Sequence, residues 1–309
     1  MLPVIIGLSG ALIFGAADFL GGMAAKRISA VRVTAIGAAS GLVLLVASIS
    51  VVGGTWSASA VLLGALSGVT GAIAIVLLYA CLAIGPMSIL SPTTAVVSAL
   101  VPMLVGLVKG DRLNAIGYVA LALALVAVVL VGFVPEKGAV RPSLKALGMA
   151  VGSGTMIGAF IVIIDMTPSD SGVVPLIANR ATNGIIVFTA IGVMALLARR
   201  RARRIGAAAM SASGPDALAL DVGARGTDAR GWRPGLMFAA ISGVIDATAN
   251  IFLLVGLRMG ELTIQSVLTA LYPAGTIILA AIVLKERIAP VQVVGLVLAI
   301  IAASMLALA

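Results

Sequence analysis

The 309-residue chain has no histidine, a single cysteine, 4% aromatic residues and only 10% charged residues. Without imidazole there is neither a histidine proton relay nor the usual zinc ligand. One thiol, Cys81, cannot form an intramolecular disulfide and says nothing of the redox compartment. No motif implies a cofactor. So little charge beside 61% hydrophobic residues and a mean hydropathy of +1.24 excludes a soluble globular domain. What fills the chain is long apolar runs. A helix needs about 20 mostly apolar residues to cross a bilayer. Length and punctuation predict ten crossings, at Leu2–Ala24, Ala30–Val52, Ala58–Ala80, Met87–Val108, Leu113–Val134, Leu144–Ile164, Val173–Ala198, Gly235–Val255, Leu262–Leu284 and Ile288–Leu308. The runs are continuous rather than alternating, which favours helices over barrel strands. The first run lacks a basic start and carries Asp18, which argues against a cleaved signal.

The net charge of +9 points to topology rather than to nucleic acid. Sixteen cations fall in the loops after the first, fifth, seventh and ninth segments, while the opposite side holds only Lys109, Arg112 and Arg258. The positive-inside rule then predicts cytoplasmic basic loops and both termini outside, in a multi-pass plasma-membrane protein whose surroundings are membrane lipid.

The second half repeats the first. Ser67–Arg112 superposes without a gap on Ser242–Arg287 at an offset of 175, with sixteen of 46 positions identical, where biased composition gives about five. Five crossings per copy is odd, so the second copy enters the bilayer upside down. That arrangement is common in secondary transporters. The expected fold is therefore an all-α integral membrane protein of ten transmembrane helices in two inverted five-helix repeats. The first repeat covers residues 1–134 and a connector residues 135–143. The second covers 144–309 and includes a flexible cytoplasmic loop at 199–234. Small residues four apart, such as Gly7/Ala11/Gly15, Gly37/Gly41, Gly64/Gly68, Gly148/Gly152 and Gly154/Gly158, permit close helix packing.

Charges inside the bilayer are functional candidates by default. Asp18 lies two-thirds through the first segment. Asp246 lies mid-way through the eighth, with Asn250 one turn on, and Arg180 lies in the seventh between Asn179 and Asn183. A packing role would pair Arg180 with Asp18 or Asp246. A transport role would make one acid titrate and Arg180 anchor a substrate carboxylate or phosphate. In the ninth segment Gln265, Thr269, Tyr272 and Thr276 form a polar stripe, answered in the fourth by Ser91, Thr94 and Ser98. Pro92, Pro102 and Pro273 each remove a backbone donor and are expected to break these helices. Such breaks point to a central binding site. The bland alternative is that the hydroxyls bond back to their own helices. Tyr79 in the third segment completes the candidate lining.

The run Leu268-Thr269-Ala270-Leu271-Tyr272-Pro273-Ala274-Gly275-Thr276, followed by Leu284-Lys285-Glu286-Arg287-Ile288 and Val294-Gly295-Leu296, resembles the C-terminal signature of EamA-type carriers. These belong to the drug/metabolite transporter superfamily. Gly15 through Lys26 similarly resembles the family's first helix. The resemblance implies a non-enzymatic ten-helix carrier moving small metabolites or drugs through a cavity built from helices 1, 3, 4, 6, 8 and 9. The expectation is an exporter of small polar or amino-acid-like compounds by alternating access, with proton coupling and a homodimer left open. Glu286, at the cytoplasmic end of the ninth helix, is expected to gate rather than to touch substrate. Two other classes remain as alternatives, a sensory or scaffolding membrane protein and an enzyme acting on a lipid phosphate. The second lacks any acid/base pair beside a phosphate-binding cluster.

Overall fold

A computed structural model describes residues 1–82, 84, 86–133, 142–212, 229–285 and 287–308. Among them the chain is helical, with no strand. The helices are α1 (Leu2–Ala25), α2 (Ala30–Val52), α3 (Ala58–Leu82), α4 (Met87–Lys109), α5 (Ala115–Gly132), α6 (Leu144–Asp165), α7 (Val174–Ala212), α8 (Ala229–Met259), α9 (Leu262–Thr269), α10 (Tyr272–Val283) and α11 (Pro290–Leu308). Nine stretches among the described residues are long and apolar enough to span a membrane, α9 and α10 counting together as one. The remaining long helix, α7, carries Asn179, Arg180 and Asn183 in its first three turns.

Two sequence expectations change. Residues 199–234 are not one loop, because α7 continues to Ala212 and α8 begins at Ala229. Residues 213–228 lie outside the described residues, as does the 135–141 part of the expected connector and Glu286. The fourth segment is not broken either. α4 runs unbroken through Pro92 and Pro102, each proline costing one backbone hydrogen bond that neighbouring helices shelter from lipid. Only the ninth segment is interrupted, at Ala270-Leu271. Pro273 stands at the start of α10 and cannot donate to the Thr269 carbonyl, so the ladder of α9 stops there.

Helix pairing follows one scheme in both halves. α1 packs on α8 and on the α9–α10 segment, as α6 packs on α3 and α4; α2 packs on α8, as α7 packs on α3. α2 meets α7, α4 meets α9, and α5 meets α11. Exchanging the halves leaves this set unchanged. Individual contacts repeat as well. Gly10 of α1 faces Phe252 of α8, and Gly152 of α6 faces Leu77 of α3, the last two aromatic and aliphatic partners being separated by the 175 of the sequence repeat.

Glycine makes these approaches close. A Cβ at Gly15 would lie 2.5 Å from the Tyr272 carbonyl oxygen and 2.7 Å from the Gly275 Cα. Gly243 lies against the backbone of Gly37 and the Ser40 hydroxyl. In lipid the helices gain contact mainly by such backbone proximity. Four apolar clusters result among the described residues, two of them large. One joins α4, α5, α9 and α11 around Ala99, Ala124, Val267 and Ala302; the other joins α2, α6, α7 and α8 around Leu45, Ile164, Leu176 and Leu254. The candidate site lies on the seam between them.

Gly148 faces open space, although its spacing matched the packing pattern. Gly15→Val is therefore expected to lower stability by at least about 1–3 kcal/mol through overpacking, whereas Gly148→Ala should leave it unchanged or slightly raised. Thermal unfolding of both variants in detergent checks this, and equal midpoints would refute the close-approach account.

Candidate functional site

Two cavities meet at Asp18. The first, of about 230 Å³, is lined by Phe14 and Asp18 of α1, Ser98 of α4, Ile157, Phe160 and Ile161 of α6, Leu253 of α8, and Ser266, Thr269, Ala270 and Tyr272 around the break in α9–α10. The second, of about 350 Å³, runs from Asp18 past Gly21, Gly22 and Ala25 at the end of α1 and Val33 and Thr34 at the start of α2. Arg180, Ser242 and Asp246 complete it. Asp18 is common to both linings. The first is mostly apolar and aromatic, and the second holds the charges.

Arg180 of α7 and Asp246 of α8 form an ion pair through guanidinium Nη2 and carboxylate Oδ2, with side chains 16% and 29% exposed. Asn250, one turn beyond Asp246, donates its Nδ2 to the Asp246 backbone oxygen at 2.8 Å and to Oδ2 at 3.2 Å. Neighbouring Asn179 donates to the Ser67 hydroxyl at 2.8 Å and so ties α7 to α3. Of the two acids open to Arg180 on sequence grounds, Asp246 takes it. The Asp18 carboxylate has no hydrogen-bond or ion-pair partner among the described residues, and its exposed surface faces the cavities.

The hydroxyl stripe is spent largely on backbone. Ser98 donates to the Ala95 carbonyl at 2.8 Å, Ser266 to Thr263 at 2.9 Å, and Thr269 to Gln265 at 2.7 Å. Thr94 donates to Leu90 and, across the helix interface, to Ala150 at 3.2 Å. Thr276 donates to the Gly15 carbonyl at 3.1 Å. Ser98, Ser266 and Thr269 nevertheless belong to the lining of the first cavity, the two serines being buried.

Other candidates lie elsewhere. Thr94 is a packing residue, and Ser91 is half-buried and lines neither cavity. Asn183 sits beside Gly71 of α3. Gln265 is fully buried, its Nε2 donating to the Pro3 carbonyl at 2.9 Å and its Oε1 cradled between Gly7 and Gly256. It fastens α9 to the start of α1. Pro92 packs on Gly132 and Pro102 on Gly158. The Tyr79 side chain lies outside the described residues. α3 contributes no described residue to either lining, while α2 and α7 do. Sequence reasoning missed Phe14, Phe160, Leu253 and Ser266. Ser266 was within reach, since it repeats Ser91 at the 175 offset.

One end of the bundle is tied shut. Lys109 at the end of α4 pairs with Asp165 at the end of α6 at 2.7 Å. Arg258 of α8 donates to the Thr167 carbonyl at 2.6 Å, the Thr167 hydroxyl at 2.5 Å and the Pro168 carbonyl at 2.9 Å. Asp111 accepts from the backbone N–H and hydroxyl of Thr263 at 3.0 and 2.8 Å, capping α9 from the other half. Beside it Glu261 keeps Oε2 buried without a partner. Burial, then the neighbouring Asp111 charge, pushes its carboxyl above the ordinary 4.5, against a backbone hydrogen bond from Arg112.

A profile of the EamA-like transporter family matches residues 144–308. The chain belongs to that family. Its members are membrane transporters of small substrates, which agrees with the apolar helices. A search of curated proteins finds no match. Among solved structures, one crystal structure matches with a TM-score of 0.65 at 13% identity, over 99% of this chain and 96% of its own, a likeness of fold alone.

Two predictions follow from these geometries. Asp246→Asn strands a buried guanidinium and should cost about 3–5 kcal/mol, much of it recovered in the Arg180→Gln/Asp246→Asn double variant; thermal unfolding of the set reads the coupling, and additive losses would deny the pair. At the tied end, ionised Glu261 opposes folding, so its cost grows as pH rises from the ordinary glutamate value. Glu261→Gln should unfold at a higher temperature than the parent at neutral pH and at the same temperature in acid, and no difference at neutral pH would refute the burial account.

Proposed function

We propose that this chain is a secondary active carrier that moves small molecules across the plasma membrane by alternating access, as an exporter, with Asp18 as its proton-coupling acid. The observation that carries this reading is the position of Asp18. It is an unpaired carboxylate where an apolar cavity between the two cores joins a polar passage. A carrier needs a group that proton and substrate address in turn from one side at a time. The charged neighbours of Asp18 are Arg180 and Asp246, already engaged with each other, and Tyr272 faces it from α10.

Inverted repetition is part of the proposal. It is supported by the exchangeable helix pairing and by the ends of α1 and α6. Pro3 at the start of α1 meets Gln265 of α9, while Asp165 at the end of α6 meets Lys109 near the same tied end. The first helices of the two halves thus run in opposite senses. The polar passage reaches the other end of the bundle, near Lys26, Arg27 and Arg32. By the positive-inside rule that end is cytoplasmic, and the conformation is inward-facing. Membrane lipid surrounds the bundle, and neither nucleic acid nor a cofactor is part of the reading.

A ligand found by thermal shift among amines, amino acids, nucleosides and sugar phosphates is the substrate for the test. In proteoliposomes Asp18→Asn should reduce pH-gradient-driven uptake at least about tenfold while the protein stays monodisperse. Undiminished gradient-driven uptake in this variant would refute coupling through Asp18.

A further inference from the structure

We infer that the site around Asp18 selects a small monovalent amine with an apolar, single-ring body, and disfavours carboxylates. This deepens the carrier reading and rests on it for its place in transport, though not for binding.

Three observations carry the inference. The first is charge. The charged residues lining the two cavities are Asp18, Arg180 and Asp246 among the described residues, and the last two neutralise each other. The site is left with the single negative charge of Asp18. An anion would have to draw Arg180 from Asp246 and leave that carboxylate uncompensated, which is costly away from water. The sequence-based role of Arg180 as an anion anchor is thereby replaced.

The second is the balance of donors and acceptors. The hydroxyl hydrogens of Ser98, Ser266 and Thr269 already go to the Ala95, Thr263 and Gln265 carbonyls. Ser98 and Ser266 are buried, and the half-buried Thr269 has a lone pair rather than a proton left over. A lining with its hydroxyl protons spent, beside a carboxylate, suits an ammonium, which brings three donors and no acceptor. A substrate carboxylate needs donors, and among these groups only the Tyr272 hydroxyl remains to supply one.

The third is shape. Phe14, Phe160 and Tyr272 give the cavity aromatic surface, which attracts cations by the ring quadrupole. An apolar cavity of about 150 Å³ holds benzene. The 230 Å³ of the apolar cavity admits one ring with a short chain, with the ammonium placed at Asp18 where the polar passage begins.

Three probes share one body and differ in charge: phenethylamine, phenylalanine and 3-phenylpropionate. Calorimetric titration into the full-length protein in detergent is expected to rank phenethylamine at least tenfold tighter than the other two. Asp18→Asn should weaken the amine at least tenfold, and Asp18→Glu should retain most of its binding. Equal or tighter binding of phenylalanine or phenylpropionate overturns the inference, as does an amine that binds Asp18→Asn unchanged or no binding by any probe. The ranking in the parent protein decides the matter even if Asp18→Asn fails to fold. Amine binding without uptake into proteoliposomes would sink the carrier reading and leave the amine site standing. Uptake of another compound with no amine binding would do the reverse.

Discussion

Two opposite charges survive among apolar helices by sitting together, and the Arg180–Asp246 pair organises the centre of this bundle. Arg180 comes from α7 and Asp246 from α8, so the pair fixes the register of the helices that also flank α2. Gly41 of α2 leaves room for the guanidinium, whose Nε lies 3.5 Å from where a Cβ would stand. Asn250 then steadies the carboxylate from one turn away. With Arg180 engaged by Asp246, Asp18 is left facing the cavities without an ion-pair partner among the described residues. The chemistry assigned to Asp18 is thus a consequence of a pairing that it does not take part in.

The halves share a packing plan but not a polar plan. Close approaches at Gly10 and Gly152 repeat, since a glycine contact asks only for space. Apart from Asp111, which the 175 offset sets against Glu286, the acids of Ser67–Arg112 and Ser242–Arg287 do not repeat. The 175 offset sets Asp246 against Gly71, and Glu261 against Pro86. The tied end accordingly gathers Lys109, Asp111, Asp165, Arg258 and Glu261, and the α9 cap joins the two halves there. On the proposed carrier reading, symmetric packing with asymmetric polar contacts would allow two similar backbone arrangements of unequal energy. Alternating access requires such a pair of states.

How much was legible in the sequence depends on the kind of signal. Nine of the ten predicted crossings were legible because bilayer thickness leaves long, redundant marks. Pro273 announced a real break. Pro92 and Pro102 have the same chemistry, yet α4 continues through them, because Gly132 and Gly158 let α5 and α6 pack on the proline rings. That is a property of neighbours, not of the proline. Arg180 was recognisable as needing an acid, but a sequence holds no register between helices that would choose Asp246 over Asp18. Phe14, Phe160 and Leu253 carry no polarity to set them apart from lipid-facing residues. The arginine run at 199–204 reads as a solvated loop by composition, whereas α7 carries it on as helix to Ala212.

The break in α9–α10 links the tied end to the cavity. α9 is held at its start by Asp111 and along its length by Gln265, which reaches Pro3 of α1. α10 is held by Gly15 of α1 through the Thr276 hydroxyl. Both halves of the broken helix are therefore fastened to α1, on either side of Ala270-Leu271, and Asp18 lies on α1 one turn beyond Gly15. Any motion that releases Asp111 from Thr263 can tilt α9 at a joint where no proline N–H has to be re-bonded. Ser266 and Thr269, which share the lining of the first cavity with Asp18, would move with it. On the proposed carrier reading, the joint that opens the tied end would then also reshape the proposed site, coupling release to a change of side without a separate signalling path.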